Sequence, residues 1–236
     1  MFVRRPPIKL SQQVLYAIDD AGAGKFDAAL LHACIAIDTT AKRLYPSERK
    51  VGIRYVACLR DYYWIVEPMI GAGLNLIETR FSNVHLGKNH SPDLADVIYE
   101  IFRCSHAHGD EVPASFSIIP TVGSVVSTWG FGHGELHIPD RIIWALLAIA
   151  VLSKVNAGEK SDGTYYFSLG NDQFRICDWW GREDDFRPVA GRYNQTRVKL
   201  AKLDRLEKAP ADAANNRAEI VTIIQPYAAP PLVDTK

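Results

Sequence analysis

Apolar residues recur every three to four positions through most of the first 155 residues, which is the spacing of one face of an α-helix. The clearest example covers residues 26–45, where an acidic residue near the start and basic residues near the end match the helix dipole, and Pro46 follows directly. The pattern therefore predicts a helix here. The same spacing predicts further helices over residues 11–21, 47–64 and 139–152.

Residues with strong positional preferences indicate where the helices begin and end. We expect Ser11 to cap the first helix, and Pro68 with the glycines that follow it to end the third. The run Ser91-Pro92-Asp93 predicts the start of another helix, because serine caps, proline suits the first turn and aspartate favours the positive end of the dipole. The polar residues that could form a functional site should lie at the C-terminal end of that helix.

Two segments have the pattern of β-structure. Residues 115–127 are β-branched and turn-rich, which predicts a hairpin between helices. Residues 164–177 surround the turn Gly170-Asn171-Asp172 and predict a second hairpin. The fold class expected is mainly α, a helical bundle with a small antiparallel β-hairpin or sheet appended near the C-terminus.

Composition limits the classes of protein that fit. The chain has 236 residues and is 47% hydrophobic, enough for one sizeable core, and its 27 basic and 27 acidic residues leave no net charge. Its four cysteines form no CxxC pair, which favours reduced thiols in a cytoplasmic protein. The N-terminus has no apolar segment typical of a secretory signal, and the apolar run 142–152 is too short to span a bilayer. We therefore expect a cytoplasmic protein with no membrane association.

We assign residues 1–190 to one domain and residues 191–236 to a basic segment followed by an Ala/Pro-rich, partly mobile tail. Residues 187–208 contain seven basic residues and only two acidic ones, so this segment is the best candidate surface for binding a polyanion. A solvated helix face is the alternative interpretation. The candidate nucleic-acid-binding residues are Arg192, Arg197, Lys199 and Lys202.

The densest candidate chemistry lies between Arg103 and His108. An arginine fork fits a phosphate, and an imidazole exchanges protons near neutral pH, which are the groups that RNA cleavage without a metal requires. On a straight helix the two side chains would face apart by about 140°. The site therefore requires either that the helix end between them or that a second chain supply the other half. His106 lies closer to Arg103 on a continuing helix, so the choice of imidazole stays open.

Other interpretations of this stretch compete with a catalytic one. The arginine and histidines could simply favour the negative end of the helix dipole. Cys104, His106 and His108 alternate, and His133 with His137 forms another pair, but these spacings match no recognised zinc site. Residues near His133 are glycine-rich, which indicates a loop. No P-loop or Gly-x-Ser-x-Gly elbow occurs, which argues against the commoner nucleotidase and esterase functions. We predict no metal and no cofactor.

Residues 26–46, followed by residues 99–108, resemble the HEPN (higher eukaryotes and prokaryotes nucleotide-binding) superfamily over roughly residues 11–155. Its members pair a long early helix with a later helix that ends in an arginine, four to six residues and a histidine, and Arg103 and His108 match with four residues between them. The resemblance implies a helical bundle, a homodimer that brings two motifs into one cleft, and metal-independent RNA cleavage in active members. Such members often act as toxins or defence effectors, with an antitoxin or defence partner protein.

The function expected is therefore a metal-independent endoribonuclease with Arg103 and His108 as catalytic residues. A non-catalytic protein of the same fold that binds RNA or a nucleotide, or serves as a scaffold, is the alternative. A purely structural oligomer, in which the motif only caps a helix, is a third. The supporting polar residues would be Asp38, Glu100, Ser105 and His106.

Overall fold

The computed structural model describes most of the chain between residues 9 and 193, together with one strand near the C-terminus. In this part the protein is mainly α-helical with small sheets, which confirms the predicted fold class. For residues 126–128 and 219–224 only the backbone is described. The described ranges are 9–71, 74–87, 91–105, 112–121, 126–132, 134–161, 163, 165–193 and 219–224.

Four helices come first along the chain, and the second confirms the prediction over residues 26–45. The prediction that Ser11 caps the first helix is wrong. Ser11 is buried inside that helix and its backbone amide donates to Glu159, while Lys9 occupies the N-cap. The four helices are α1 (Leu10–Gly22), α2 (Phe26–Leu44), α3 (Val51–Asp61) and α4 (Tyr63–Ile70).

The third predicted helix is two helices, separated at Tyr62. Pro68 does not end it, because it lies inside α4. A proline there removes one backbone hydrogen bond. All of α4 except Trp64 is buried, so its packing against the core outweighs that loss.

The helix expected after residue 91 begins with a different cap. Asp93, rather than Ser91, is the N-cap of α5 (Leu94–Val97), and its carboxylate accepts from the backbone amide of Asp96 at 3.0 Å. The Asp96 carboxylate in turn accepts from the Asp93 amide at 3.2 Å. This reciprocal capping box satisfies two amides that an uncapped helix start would leave open. The helix continues as a π-helical segment, Ile98–Arg103, and remains helical through Ser105.

The centre of the core is α6 (Arg141–Leu152), in which every residue except Arg141 and Trp144 is buried. It packs against α1, α2 and α4. Directly after it, the buried Asn156 side chain donates to Thr40 on α2 at 2.9 Å and accepts from Arg43 at 2.7 Å. This buried network holds α2 in register with the core, and α2 carries one of the candidate residues.

The predicted hairpin within residues 115–127 is wrong in its pairing. β1 (Phe116–Ile119) does not pair with the next strand; it runs parallel to β3 (Glu135–Pro139). The antiparallel hairpin is formed by β2 (Val126–Gly132) and β3. The outermost strand on the other side is β6 (Glu219–Ile224), antiparallel to β2, so the four-stranded sheet has the order β1-β3-β2-β6. Part of the tail assigned to residues 191–236 is thus a strand.

The second predicted hairpin, over residues 164–177, is present as β4 (Tyr166–Leu169) and β5 (Asp172–Arg175). Two short helices follow, α7 (Ile176–Trp179) and α8 (Glu183–Tyr193), and α8 crosses the boundary expected at residue 190. Aromatic side chains of this region pack together, with Phe186 of α8 fully buried. The hairpin and α8 therefore form one aromatic cluster. This cluster contacts the helical body through Trp64 of α4.

Candidate functional site

Three charged side chains meet where α2, α3 and the π-helical segment come together. Oδ2 of Asp38 on α2 accepts from Nη2 of Arg103 at 2.9 Å, and Oδ1 accepts from Nη2 of Arg54 at 3.4 Å. The exposed fractions of the three side chains are 25% for Asp38, 21% for Arg103 and 13% for Arg54. We call these residues the Asp38 cluster. It carries two positive charges and one negative charge, so it has a net charge that favours an anion.

The π-helical backbone accounts for the position of Arg103. Both Ile98 and Phe102 are buried on this segment, while the next residue, Arg103, reaches α2. A π-helical turn inserts one extra residue relative to an α-helix and shifts the direction of the side chains that follow. Single π-helical turns in proteins are frequent at functional sites. One short helix can therefore bury its apolar side chains and also direct Arg103 towards Asp38.

Arg103 remains charged in this setting. Partial burial by itself lowers its pKa, but the hydrogen bond and charge of Asp38 outweigh burial and raise the pKa above its ordinary value. The guanidinium carbon also lies 5.7 Å from the centre of the Tyr99 ring, within cation–π range. Arg103 is thus held between a carboxylate and an aromatic face.

An aromatic and thiol layer lies beneath the cluster. The rings of Tyr55 and Tyr99 are 5.4 Å apart, and Gly52 leaves room for the Tyr99 ring, because a Cβ there would lie 2.8 Å from its Cε1. The Tyr55 hydroxyl is fully buried beside the Cys34 thiol, and no described atom completes its hydrogen bonding at normal geometry. Burial, together with Cys34, raises the pKa of Tyr55 well above its ordinary value. Tyr55 and Cys34 are thus buried next to the charged side chains of the cluster.

We expect the buried thiols to resist alkylation. Burial raises the pKa of Cys34 to about 12, against some lowering by the neighbouring Tyr55 hydroxyl and the charge of Arg103. Burial also raises the pKa of Cys58, whereas Cys177 is exposed. Since the thiolate is the reactive form, iodoacetamide at pH 8 should label Cys177 in the native protein, and Cys34 and Cys58 only after urea denaturation. Peptide mass spectrometry of both samples measures this, and rapid native labelling of Cys34 would contradict the burial.

An open cleft lies between the start of α2, Phe102 and the first strand of the sheet. Its volume is about 920 Å³, and its polar lining includes Lys25, Asp27 and Ser117. Phe102 lines this cleft, and the next residue in the chain, Arg103, reaches Asp38.

The structure brings together only some of the residues expected at the site. Asp38 contacts Arg103, Ser105 is half-buried two residues further on, and Glu100 is exposed near Tyr99. The histidines expected to supply the imidazole, His106 and His108, lie outside the described residues.

The basic segment has a different character where it is described. Nη2 of Arg192 lies 2.7 Å from Asp172 of β5, and Arg187 pairs with Glu183 and stacks on the Trp64 ring at 4.1 Å. Both arginines therefore have intramolecular partners in the structure. Arg197, Lys199 and Lys202 lie outside the described residues.

Across the described part of the chain, no group of three His, Cys, Asp or Glu side chains is placed to hold a metal ion. His137, expected in a loop, is in β3, where Nδ1 is 2.8 Å from the Ser117 hydroxyl of β1. Its Nε2 lies 3.8 Å from Glu135 on the same strand. These contacts involve only β1 and β3. His133 lies outside the described residues.

Arg54 is the residue of the cluster that sequence reasoning missed. A signal was present, because Arg54 lies three residues after Val51 and four before Cys58, on the apolar stripe of its helix. An arginine on a buried face requires a partner. The partner could not be named without knowing which helix packs there.

The comparisons with known proteins agree on one family. Its family model, described as Rv1289, matches residues 9–205. The chain belongs to the Rv1289 family. The uncharacterized proteins Rv1289 of Mycobacterium tuberculosis and Mb1320 of Mycobacterium bovis are each 34% identical to it over 200 residues, covering 84% of this chain and 93% of the relative. No solved structure matches.

The matched range of the Rv1289 family includes every residue of the Asp38 cluster and ends before β6. The names of these relatives state no activity. Among the described residues, no helix is both long enough and apolar enough to cross a membrane.

Proposed function

We propose that the protein is a metal-independent endoribonuclease of the HEPN type, in which Arg103 binds the scissile phosphate and His108 transfers protons at the 2′-hydroxyl or the leaving 5′-oxygen. The observation that carries the proposal is the contact between Arg103 and Asp38, which are 65 residues apart in the chain. Both were candidates on sequence grounds. Their ion pair holds a charged guanidinium at a partly exposed position, as phosphate binding requires.

The donors of Arg103 support this role. A guanidinium has five N–H groups in a fixed fork. One Nη2 group bonds Asp38 and the Cys104 side chain provides a further contact, which leaves donors for phosphate oxygens. The superfamily resemblance implies a homodimer, and we propose that it places His108 of one chain near Arg103 of the other. In such a dimer the two side chains come from different chains, so they do not have to point the same way along one helix.

Cleavage of labelled RNA in the presence of EDTA tests the proposal. We expect wild-type protein to cleave, and Arg103→Ala and His108→Ala each to lower the rate by at least about 100-fold, because a positioned phosphate clamp and a proton-transfer group each contribute that much. His106→Ala decides which imidazole acts. The control is Arg175→Ala, which removes an exposed arginine paired with Asp178 and should leave the rate unchanged. Equal cleavage by wild type and the Arg103 and His108 variants would exclude this function.

A non-catalytic protein that binds RNA is the second candidate function. The feature that favours it is Cys104, which follows Arg103 directly, where catalytic members of the superfamily often have a polar residue. Binding that weakens steeply with added salt, without any cleavage product, would support this alternative.

A further inference from the structure

Arg54 has an incomplete set of hydrogen bonds, although it is one of the most buried charged groups at the site. Its Nε–H is fully buried and meets no acceptor among the described residues. Its Nη2 reaches Asp38 at 3.4 Å, half an ångström longer than the 2.9 Å contact from Arg103. A buried donor without an acceptor is costly, and an arginine cannot relieve the cost by losing its proton.

The geometry around Asp38 explains the incomplete set. Nε and Nη2 form one edge of a guanidinium, and a carboxylate that faces this edge squarely bonds both. Here the Asp38 carboxylate is divided between Arg54 and Arg103, with the shorter bond to Arg103. Arg103 therefore holds Asp38 away from a full pairing with Arg54.

We propose that Asp38 exchanges partners when an anion binds: a phosphate takes over Arg103, and the released Asp38 carboxylate closes on the Nε and Nη2 edge of Arg54. Arg54 is then a positioning residue that acts through Asp38 and does not contact the phosphate. No bond other than hydrogen bonds changes, and the charge of each group is kept. This proposal rests on the proposed function for the role of Arg103, and it describes what controls the release of Arg103 for anion binding at that site.

The exchange has an energetic advantage over simple displacement. A phosphate that removes Arg103 from Asp38 would otherwise leave a partly buried carboxylate short of one partner. Closing on Arg54 replaces the lost bond and also satisfies the orphan Nε–H. Arg54 thereby lowers the cost of releasing Arg103. Without Arg54, Asp38 stays with Arg103 and competes with the anion.

Binding of inorganic pyrophosphate, measured by calorimetry, tests the exchange with a probe that needs no cleavage. We expect Arg54→Gln to weaken binding by about tenfold, the effect of one charge-assisted hydrogen bond. In an Asp38→Asn background there is no carboxylate to release, so adding Arg54→Gln should change affinity by less than about twofold. If Arg54→Gln does not fold, Arg54→Lys replaces it in the experiment. Arg54→Lys keeps the charge but lacks the Nε–H, and it should weaken pyrophosphate binding about threefold. The control is again Arg175→Ala.

A side-chain NMR signal provides a readout that a purely structural role would not move. The Nε–H resonance of Arg54, assigned by its absence in Arg54→Lys, should shift downfield as pyrophosphate is added, because a new acceptor reaches it. A tenfold penalty that persists in Asp38→Asn would mean that Arg54 contacts the anion directly and would overturn the exchange. Unchanged affinity in Arg54→Gln, or no pyrophosphate binding by wild type, would also overturn it.

The experiments can reject either proposal without rejecting the other. RNA cleavage that is lost in Arg103→Ala but unaffected by Arg54→Gln would retain the ribonuclease and reject the exchange. Pyrophosphate binding with the expected pattern, but without any RNA cleavage, would retain the exchange and reject the ribonuclease.

Discussion

Replacing Asp93 by alanine is expected to lower the free energy of unfolding by about 3 kcal/mol at pH 7, from about 1 kcal/mol for the lost N-cap and about 2 kcal/mol for the lost hydrogen bonds to a charged partner. The Asp93 side chain is only 3% exposed. It caps α5 through the Asp96 amide and accepts from Nε of Arg60 at 2.7 Å. Urea unfolding followed by circular dichroism measures the difference.

The effect of Asp93 should depend on pH in one direction. Burial by itself raises its pKa, but the hydrogen bonds from Arg60 and from the Asp96 amide, with the charges of Arg60 and Arg80, outweigh burial and lower the pKa. A lowered pKa in the folded protein means that the stabilisation is complete above the unfolded value of about 3.9 and is lost as pH falls through the folded value. The gap between wild type and Asp93→Ala should therefore be constant from pH 7 to 5 and narrow in stronger acid.

The matched control is Asp185→Ala, which removes another aspartate bonded to an arginine. Asp185 is 55% exposed and pairs with Arg182 at 2.7 Å on the surface of α8. Exposed pairs of this kind contribute about 0–1 kcal/mol, so this variant should unfold close to wild type. A loss of stability at Asp93 no larger than the loss at Asp185 would contradict the role given to the cap.

Replacing Gly181 by alanine is expected to lower the free energy of unfolding by about 3 kcal/mol, from roughly 1–2 kcal/mol for the left-handed backbone and roughly 1–3 kcal/mol for overpacking. The φ angle of Gly181 is 75°, and a Cβ there would lie 2.5 Å from the Cα of Ala157. Its amide donates to the carbonyl of Val151 at 2.8 Å, which ties the turn before α8 to the end of α6. The Ala157 backbone therefore leaves no room for a Cβ at Gly181.

Gly158→Ala provides the control for Gly181→Ala, because a Cβ at Gly158 would meet no atom within 4 Å and its φ is not left-handed. We expect it to leave stability unchanged or to raise it slightly, since alanine has less freedom in the unfolded chain. Chemical unfolding of both variants in parallel measures the difference. Equal stability of Gly181→Ala and Gly158→Ala would mean that the turn rearranges without cost.

Much of the helical architecture was predictable from local pattern. Helix α2 and the hairpin of β4 and β5 follow their predicted ranges closely, because a long amphipathic repeat and a glycine-containing turn each act over neighbouring residues. Helix ends were less predictable. Pro68 inside α4 and Ser11 buried within α1 depend on contacts with distant residues, which outweigh the preferences of single residues. The parallel pairing of β1 with β3 is a long-range choice of the same kind.

For the candidate site, the sequence by itself pointed to Arg103 as a catalytic candidate, because it lies among polar residues near a helix end, and to Asp38 only as one of several supporting polar residues. Only the tertiary structure decided that these two residues touch and that Arg54 joins them from a third helix. The physical reason is that an ion pair across helices depends on how the helices pack. Helix packing is set by the summed burial of many apolar side chains and not by the charged residues themselves.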